Sequence, residues 1–140
     1  MSEIESLLPH RKPFLFVDRL EDLTESAVTG YRKFTDEDFF FKGHFPEYPV
    51  VPGVILVESM AQAGGAGLVK RQGGNNALFF LASIEKAKFR RQVVPGDEVR
   101  MEVVNERVSG MMIKQKGKAF VGDELACEAS WLCIMKKNED

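Results

Sequence analysis

A chain of 140 residues with 44% hydrophobic content is the size of one compact domain of roughly 100–150 residues and can bury a sizeable core. Lys and Arg total 19 against 21 for Asp and Glu, a formal charge of -2, which supplies no global field for a nucleic-acid backbone. No apolar run approaches the ~18 residues that span a bilayer, and Met1-Ser2-Glu3-Ile4-Glu5 lacks the positive start and apolar stretch of a signal peptide, so a soluble cytoplasmic protein is expected.

In chain order, Ser2 with Glu5 three positions on reads as a capping box for one or two helical turns, closed by Pro9. Phe14–Leu20 and Val28–Phe34 have strand composition, and the polar Thr24-Glu25-Ser26 stretch between them predicts a hairpin. Phe39 to Gly53 holds Pro46, Pro49 and Pro52 together with Gly43 and Gly53, too many breakers for a helix or a central strand, and predicts an ordered loop. From Val54 to about Lys70 proline is absent and apolar residues surround the whole cylinder, the pattern of one nearly buried helix. Gly64-Gly65 lower its propensity by about 1 kcal/mol each relative to Ala, which predicts close approach of another backbone. The Gln72-Gly73-Gly74-Asn75-Asn76 cluster is expected to end it.

Four strands are then predicted at Ala77–Phe89, Glu98–Arg107, Met111–Val121 and Glu124–Met135, joined by Pro95-Gly96-Asp97, Ser109-Gly110 and Gly122-Asp123 as an antiparallel meander. Lys114, Lys116 and Lys118 alternate with Ile113, Gln115, Gly117 and Ala119, so one face of the third strand is solvated. In the fourth, Leu125, Cys127, Ala129, Trp131, Cys133 and Met135 share a face. Cys127 and Cys133 stand about 20 Å apart along an extended strand at ~3.3 Å per residue, too far to pair, and read as small buried hydrophobes. The fold class is α+β, an antiparallel sheet wrapped around one long central helix.

Two side chains draw attention as proton-transfer groups. The helical neighbours of Glu58 are Val54, Ile55, Ala61 and Gln62, none of them a cation, and a carboxyl desolvated in that way is pushed toward the protonated form a general acid needs. The alternative is a carboxylate on an exposed seam of the helix or one held by a polar partner. His44, in Gly43-His44-Phe45-Pro46, lies in the loop that feeds the helix and is suited to act as a base, or is a loop histidine bonded to backbone. Gly53 stands just ahead of the helix, where free N–H groups and the dipole stabilise an oxyanion, or serves only helix entry. Base, acid and oxyanion site together suggest removal of a proton beside a carbonyl with protonation of a leaving group. Ser59 and Gln62 alone make no nucleophile set, which argues against a triad hydrolase. The only histidines, His10 and His44, form no helical pair and adjoin no cysteine cluster, so no metal site is expected, and the elimination needs no cofactor.

Leu8-Pro9-His10-Arg11, Pro13 to Arg19, Gly43-His44-Phe45-Pro46, Pro52-Gly53-Val54, Glu58-Ser59-Met60-Ala61-Gln62 and Phe89 to Asp97 occur in an order that closely resembles the FabZ-type 3-hydroxyacyl-acyl-carrier-protein dehydratases of bacterial type II fatty acid synthesis. The resemblance covers roughly residues 5–135. It implies a hotdog fold, homodimers whose active sites form at the interface, and trimers of dimers. It further implies that His44 removes the α proton and that Glu58, fourteen positions later and from the other subunit, protonates the departing β-hydroxyl. Gly53 then matches the glycine whose N–H holds the thioester carbonyl. The sister FabA-type dehydratase/isomerases carry Asp at the place of Glu58, which favours dehydration without isomerisation. Gln92 stands where relatives often have Pro, and Phe80 where some have a gating Tyr; these departures bear on chain length and loop motion.

Phe39, Phe40, Phe45, Phe79, Phe80 and Phe89 are candidates for an acyl tunnel or for the core. Lys86, Lys88, Arg90 and Arg91 form a basic segment, and Arg90 and Arg91 are expected to meet an acidic acyl carrier protein, unless the charges only protect a strand edge. The competing functions are a hotdog thioesterase, which would release free thiol, a dehydratase of a specialised polyene or lipid pathway, and a non-catalytic acyl-binding subunit.

Overall fold

The structure, a computed structural model, describes residues 2–74 and 77–137. The chain runs α1 (Glu3–Leu7), β1 (Arg19–Glu21), β2 (Ala27–Lys33), a 3-10 turn (Phe39–Lys42), α2 (Gly53–Gln72), β3 (Ala77–Phe89), β4 (Glu98–Ser109), β5 (Met112–Val121) and β6 (Glu124–Lys137). The six strands form one sheet in the order β1-β2-β4-β5-β6-β3, with antiparallel pairings throughout.

The sheet wraps α2. Between Ile55 and Val69 every residue of the helix is buried except Glu58. Such enclosure requires small residues where strands and helix touch. A methyl group on Gly65 would stand 2.9 Å from the Phe79 ring, and one on Gly64 would collide with Oε1 of Gln115. What approaches the two glycines is thus a pair of side chains from the sheet, where the sequence suggested backbone. The helix ends at Gln72, and Gly73 follows in the left-handed region at φ 66°, as a C-terminal glycine should. Asn75 and Asn76 of the predicted stop lie outside the described residues.

The capping box of α1 is present: Glu5 N–H donates to Ser2 Oγ at 3.2 Å and Ser2 N–H donates to Glu5 Oε1 at 3.0 Å. The β4-β5-β6 hairpins turn at Gly110 and Gly122, both with positive φ. The predicted meander fails at β3, which pairs only with β6 while β4 pairs with β2. Its cause is the long Arg90–Asp97 connection, which is no tight hairpin and is tied to the loop before α2 by Val51 N–H donating to Val93 O at 2.7 Å. In β6 the inward alternation slips by one residue at a register shift, so Ala126 is buried and Leu125 only partly so.

Of the first predicted strand only Arg19–Glu21 pairs with β2. Residues 14–16 bond instead to polar side chains of α2: Ser59 Oγ donates to Phe16 O at 2.7 Å, Phe16 N–H donates to Gln62 Oε1 at 2.8 Å, and Gln62 Nε2 donates to Phe14 O at 3.1 Å. The 3-10 turn, inside a stretch expected to be irregular, precedes its three prolines and is anchored by buried Phe40 and Phe41. Cys127 and Cys133 are free and buried, and burial pushes both thiols up to about 12.

Gln115 is 1% exposed, accepts from Trp131 Nε1–H and donates to Asn105, so it cannot swing aside for a larger residue 64. Gly64→Ala should therefore destabilise the protein by about 1–3 kcal/mol despite the gain in helix propensity. Chemical denaturation checks this, and an unchanged or raised stability would contradict the packing described.

Candidate active site

The loop ahead of α2 carries His44. Its backbone is set by the 3-10 turn, with His44 N–H donating to Phe40 O at 2.8 Å. Upstream, Arg32 pairs with Asp38 and Asp18, and Thr35 N–H donates to Asp38 Oδ2 at 2.9 Å, which ties the segment to β2. The imidazole Nδ1 lies 2.9 Å from Val50 O. A carbonyl only accepts, so in this bond Nδ1 carries the proton, and in the neutral imidazole that leaves Nε2 with its lone pair, the form required of a base. The next residue, Phe45, holds a positive φ of 59°, strained for a bulky side chain, and its ring lies 4.3 Å from the imidazole.

His44 lines a cleft of about 550 Å³ together with Gly53, Val54, Phe89, Arg90 and Arg91. Gly53 is the first residue of α2, so its N–H has no acceptor within the helix and the positive end of the dipole faces the same place. A methyl group there would come within 2.7 Å of the Phe89 ring. The cleft thus combines an imidazole base, a helix N-terminus fit to hold an oxyanion, and apolar walls. Of the six aromatics considered for a tunnel, only Phe89 lines it; Phe40 is core and Phe79 packs against the core.

Arg90 and Arg91 stand at this cleft but are engaged within the chain. Arg90 Nε meets Glu128 at 2.8 Å, and Arg91 meets Asp97 at 3.2 Å and Glu124 at 3.3 Å. Half-exposed pairs of this kind are worth about 0–1 kcal/mol, so an acidic partner can exchange for them at little expense.

Glu58 is not among the residues that line the cleft. It follows exposed Val54 by one turn where the wrap of α2 is incomplete; the side chain is 21% exposed, so it is desolvated and not on an exposed seam, while the polar partner raised as an alternative is present. Gln62 Nε2 donates to Glu58 Oε2 at 2.9 Å, while the other two hydrogen bonds of Gln62 fix it to Phe14 and Phe16. His10 Nε2 stands 3.8 Å from the same carboxyl oxygen. Burial pushes the Glu58 carboxyl above the ordinary carboxylate range, opposed in part by the Gln62 hydrogen bond. The roles of Gln62 and His10 escaped sequence reasoning. In the sequence Gln62 stands out as a helical neighbour of Glu58 and His10 as one of two histidines, within Leu8-Pro9-His10-Arg11, and nothing local signals that His10 meets the carboxyl. Among the described residues no cluster of metal-ligating side chains is found.

An antiparallel sheet closed around one long helix is the hotdog class of fold, and solved structures agree. A chain of the dehydratase heterocomplex ApeI:P from Xenorhabdus doucetiae superposes with a TM-score of 0.82 at 14% identity, covering 99% of this chain and 93% of that one. An uncharacterised protein from Pyrococcus horikoshii gives 0.62 at 15% identity, over 88% of this chain and 85% of that one. The model of the FabA-like domain matches residues 8–130. Curated relatives include 3-hydroxyacyl-[acyl-carrier-protein] dehydratases FabZ from Koribacter versatilis, 47% identical over 95% of this chain and 86% of its own length, and from Clostridium perfringens, 44% identical over 91% of each. The chain belongs to the FabA-like family and, within it, groups with the FabZ dehydratases.

A carboxyl whose titration is raised by folding binds its proton more tightly in the folded state. Stability is therefore lost as pH rises from the unfolded carboxylate value of about 4.3 through the folded one. Glu58→Gln should melt at a higher temperature than the parent protein near pH 7.5, with the advantage vanishing at about pH 4, where the folded forms of both are largely uncharged at this position. Melting curves at the two pH values test the sign.

Proposed function

We propose that the protein removes water from (3R)-3-hydroxyacyl thioesters borne by an acyl carrier protein, giving trans-2-enoyl thioesters for fatty acid synthesis. The observation that carries this reading is the His44 imidazole, with Nδ1 donating to Val50 O and Nε2 left basic, beside the Gly53 N–H in one cleft. His44 Nε2 takes the proton from the carbon next to the thioester carbonyl, and the developing oxyanion is met by the Gly53 N–H at the start of α2. The electron pair then forms the carbon–carbon double bond as the β-hydroxyl leaves, and Glu58 gives that hydroxyl its proton so that it departs as water. The imidazolium and carboxylate left behind return to their starting forms by proton exchange. No step requires a metal or cofactor.

Within one chain Glu58 lies off the cleft that holds His44, which supports a site completed by a second copy. The sheet edge favours the same arrangement. β3 is paired on one side only, its residues 82–89 are all exposed, and Phe80, Ile84 and Phe89 are 55%, 48% and 52% exposed. A homodimer joined along β3 would cover them and bring the Val54–Glu58 seam of one chain to the cleft of the other. The family resemblance extends this to trimers of dimers. Arg90 and Arg91 at the cleft mouth suit an acidic carrier protein, and two unpaired buried thiols suit a reducing, cytoplasmic setting.

The reading is tested by following the conjugated enoyl absorbance with a short 3-hydroxyacyl thioester. The parent protein should interconvert the two species, and folded His44→Ala and Glu58→Gln should each lose about 10²-fold or more in kcat. Release of free thiol in place of an enoyl product would replace this reading with a thioesterase. Arg90→Ala with Arg91→Ala should raise KM several-fold for carrier-protein substrate and less for a coenzyme A analogue.

A further inference from the structure

His10 is placed with more care than a surface residue needs. The turn that holds it is tied by Arg11, whose Nη1 donates to Leu8 O at 2.8 Å and to His10 O at 2.7 Å. The side chain is only 19% exposed, and Nδ1 is buried with no hydrogen-bond partner among the described residues. Nε2, the other nitrogen, faces Glu58 Oε2 at 3.8 Å. This is beyond a formed hydrogen bond but within the reach of one that tightens as charge develops on the carboxyl. A neutral imidazole has a single proton. On Nδ1 that proton would be a buried donor without an acceptor, while on Nε2 it is directed at a carboxyl oxygen.

We propose that His10 is a positioning residue for Glu58, a neutral imidazole whose Nε2–H joins the Gln62 amide on Oε2 and leaves Oε1 to carry the transferable proton. The inference rests on the reading of Glu58 as the acid of the dehydration. Among the described residues Oε1 accepts no hydrogen bond, whereas Oε2 is addressed by both donors. The contact is not a salt bridge, because desolvation, and then the neighbouring Arg11 guanidinium, hold the His10 imidazole below its ordinary range.

Few other charges face the pair. Arg11 meets Glu5 of α1 at 3.9 Å, and Cys133 of β6, whose thiol is pushed up to about 12 by burial and then by Glu58, remains neutral. Two donors on one carboxyl oxygen favour the ionised form and offset the burial that opposes it. When Glu58 gives up its proton, the charge left in the seam meets the Gln62 amide already in place at 2.9 Å, and the His10 Nε2–H has only to close from 3.8 Å. His10 acts through Glu58, which it faces at 3.8 Å, so its removal should act on turnover more than on substrate affinity.

Two measurements test this. In the parent protein, nitrogen NMR of the histidines should find neutral His10 with its proton on Nε2; a proton on Nδ1 overturns the proposal and requires no variant. Carbon NMR of the Glu58 carboxyl then compares the parent with His10→Leu and His10→Gln. Without a donor, in His10→Leu, Glu58 should titrate higher by roughly one pH unit, with kcat down about tenfold and KM within about twofold. In His10→Gln, whose amide nitrogen reaches the place of Nε2, most of both should return. An unshifted Glu58 in His10→Leu, or equal losses in the two variants, overturns the proposal. A shifted titration with full turnover in both His10→Leu and Glu58→Gln overturns the acid role of Glu58, and the positioning role with it, while leaving the electrostatic contact standing.

Discussion

Enclosure of α2 by the sheet is the constraint on which the other features depend. A helix buried from Ile55 to Val69 can carry polar groups only where each finds a partner, and its buried polar residues, Ser59 and Gln62, find theirs in the backbone of residues 14–16. Those bonds hold the N-terminal segment over the helix in place of a longer β1, and the same segment brings His10 to the one position where the wrap is open. Glu58 occupies that opening. Its raised titration thus follows from the packing that makes the fold.

The His44 side of the proposed site is built on loops held by backbone bonds. His44 is oriented by Val50 O and Val51 is tied to Val93, so that the imidazole, the start of α2 and the Arg90–Asp97 connection line one cleft. The two halves make opposite demands on the protein. The cleft sets an imidazole beside the positive end of a helix, whereas the seam half-buries a carboxyl, at a cost in stability above its titration. Both patches are bordered by exposed apolar residues, Val54 at 70% and Phe89 at 52%, and are open in one chain.

Local signals in the sequence identified what local chemistry decides. The Ser2–Glu5 box, the extent of α2 and the hairpins at Gly110 and Gly122 depend on neighbours within a few positions, and the desolvation of Glu58 could be read from its helical neighbours. Features set by distant partners were hidden. The short β1 reflects bonds to α2 from residues more than forty positions away, the place of β3 at the sheet edge reflects a crossover, and the crowding at Gly64 comes from Gln115. The 3-10 turn was masked by three prolines that all lie beyond it. No local pattern announces that the turn tied by Arg11 will bring His10 to the carboxyl, or that Glu58 will not line the cleft that holds His44 in one chain.

If the site is shared, two defective proteins repair each other. His44→Ala and Glu58→Gln, each nearly inactive alone, are unfolded together in equal amounts, refolded and assayed for dehydration. In a mixed twofold dimer one of the two sites joins an intact His44 to an intact Glu58, so random assortment should restore about a quarter of the parent activity. Activity no higher than the sum of the separate variants, with mixed dimers shown to have formed, would contradict a site shared between chains.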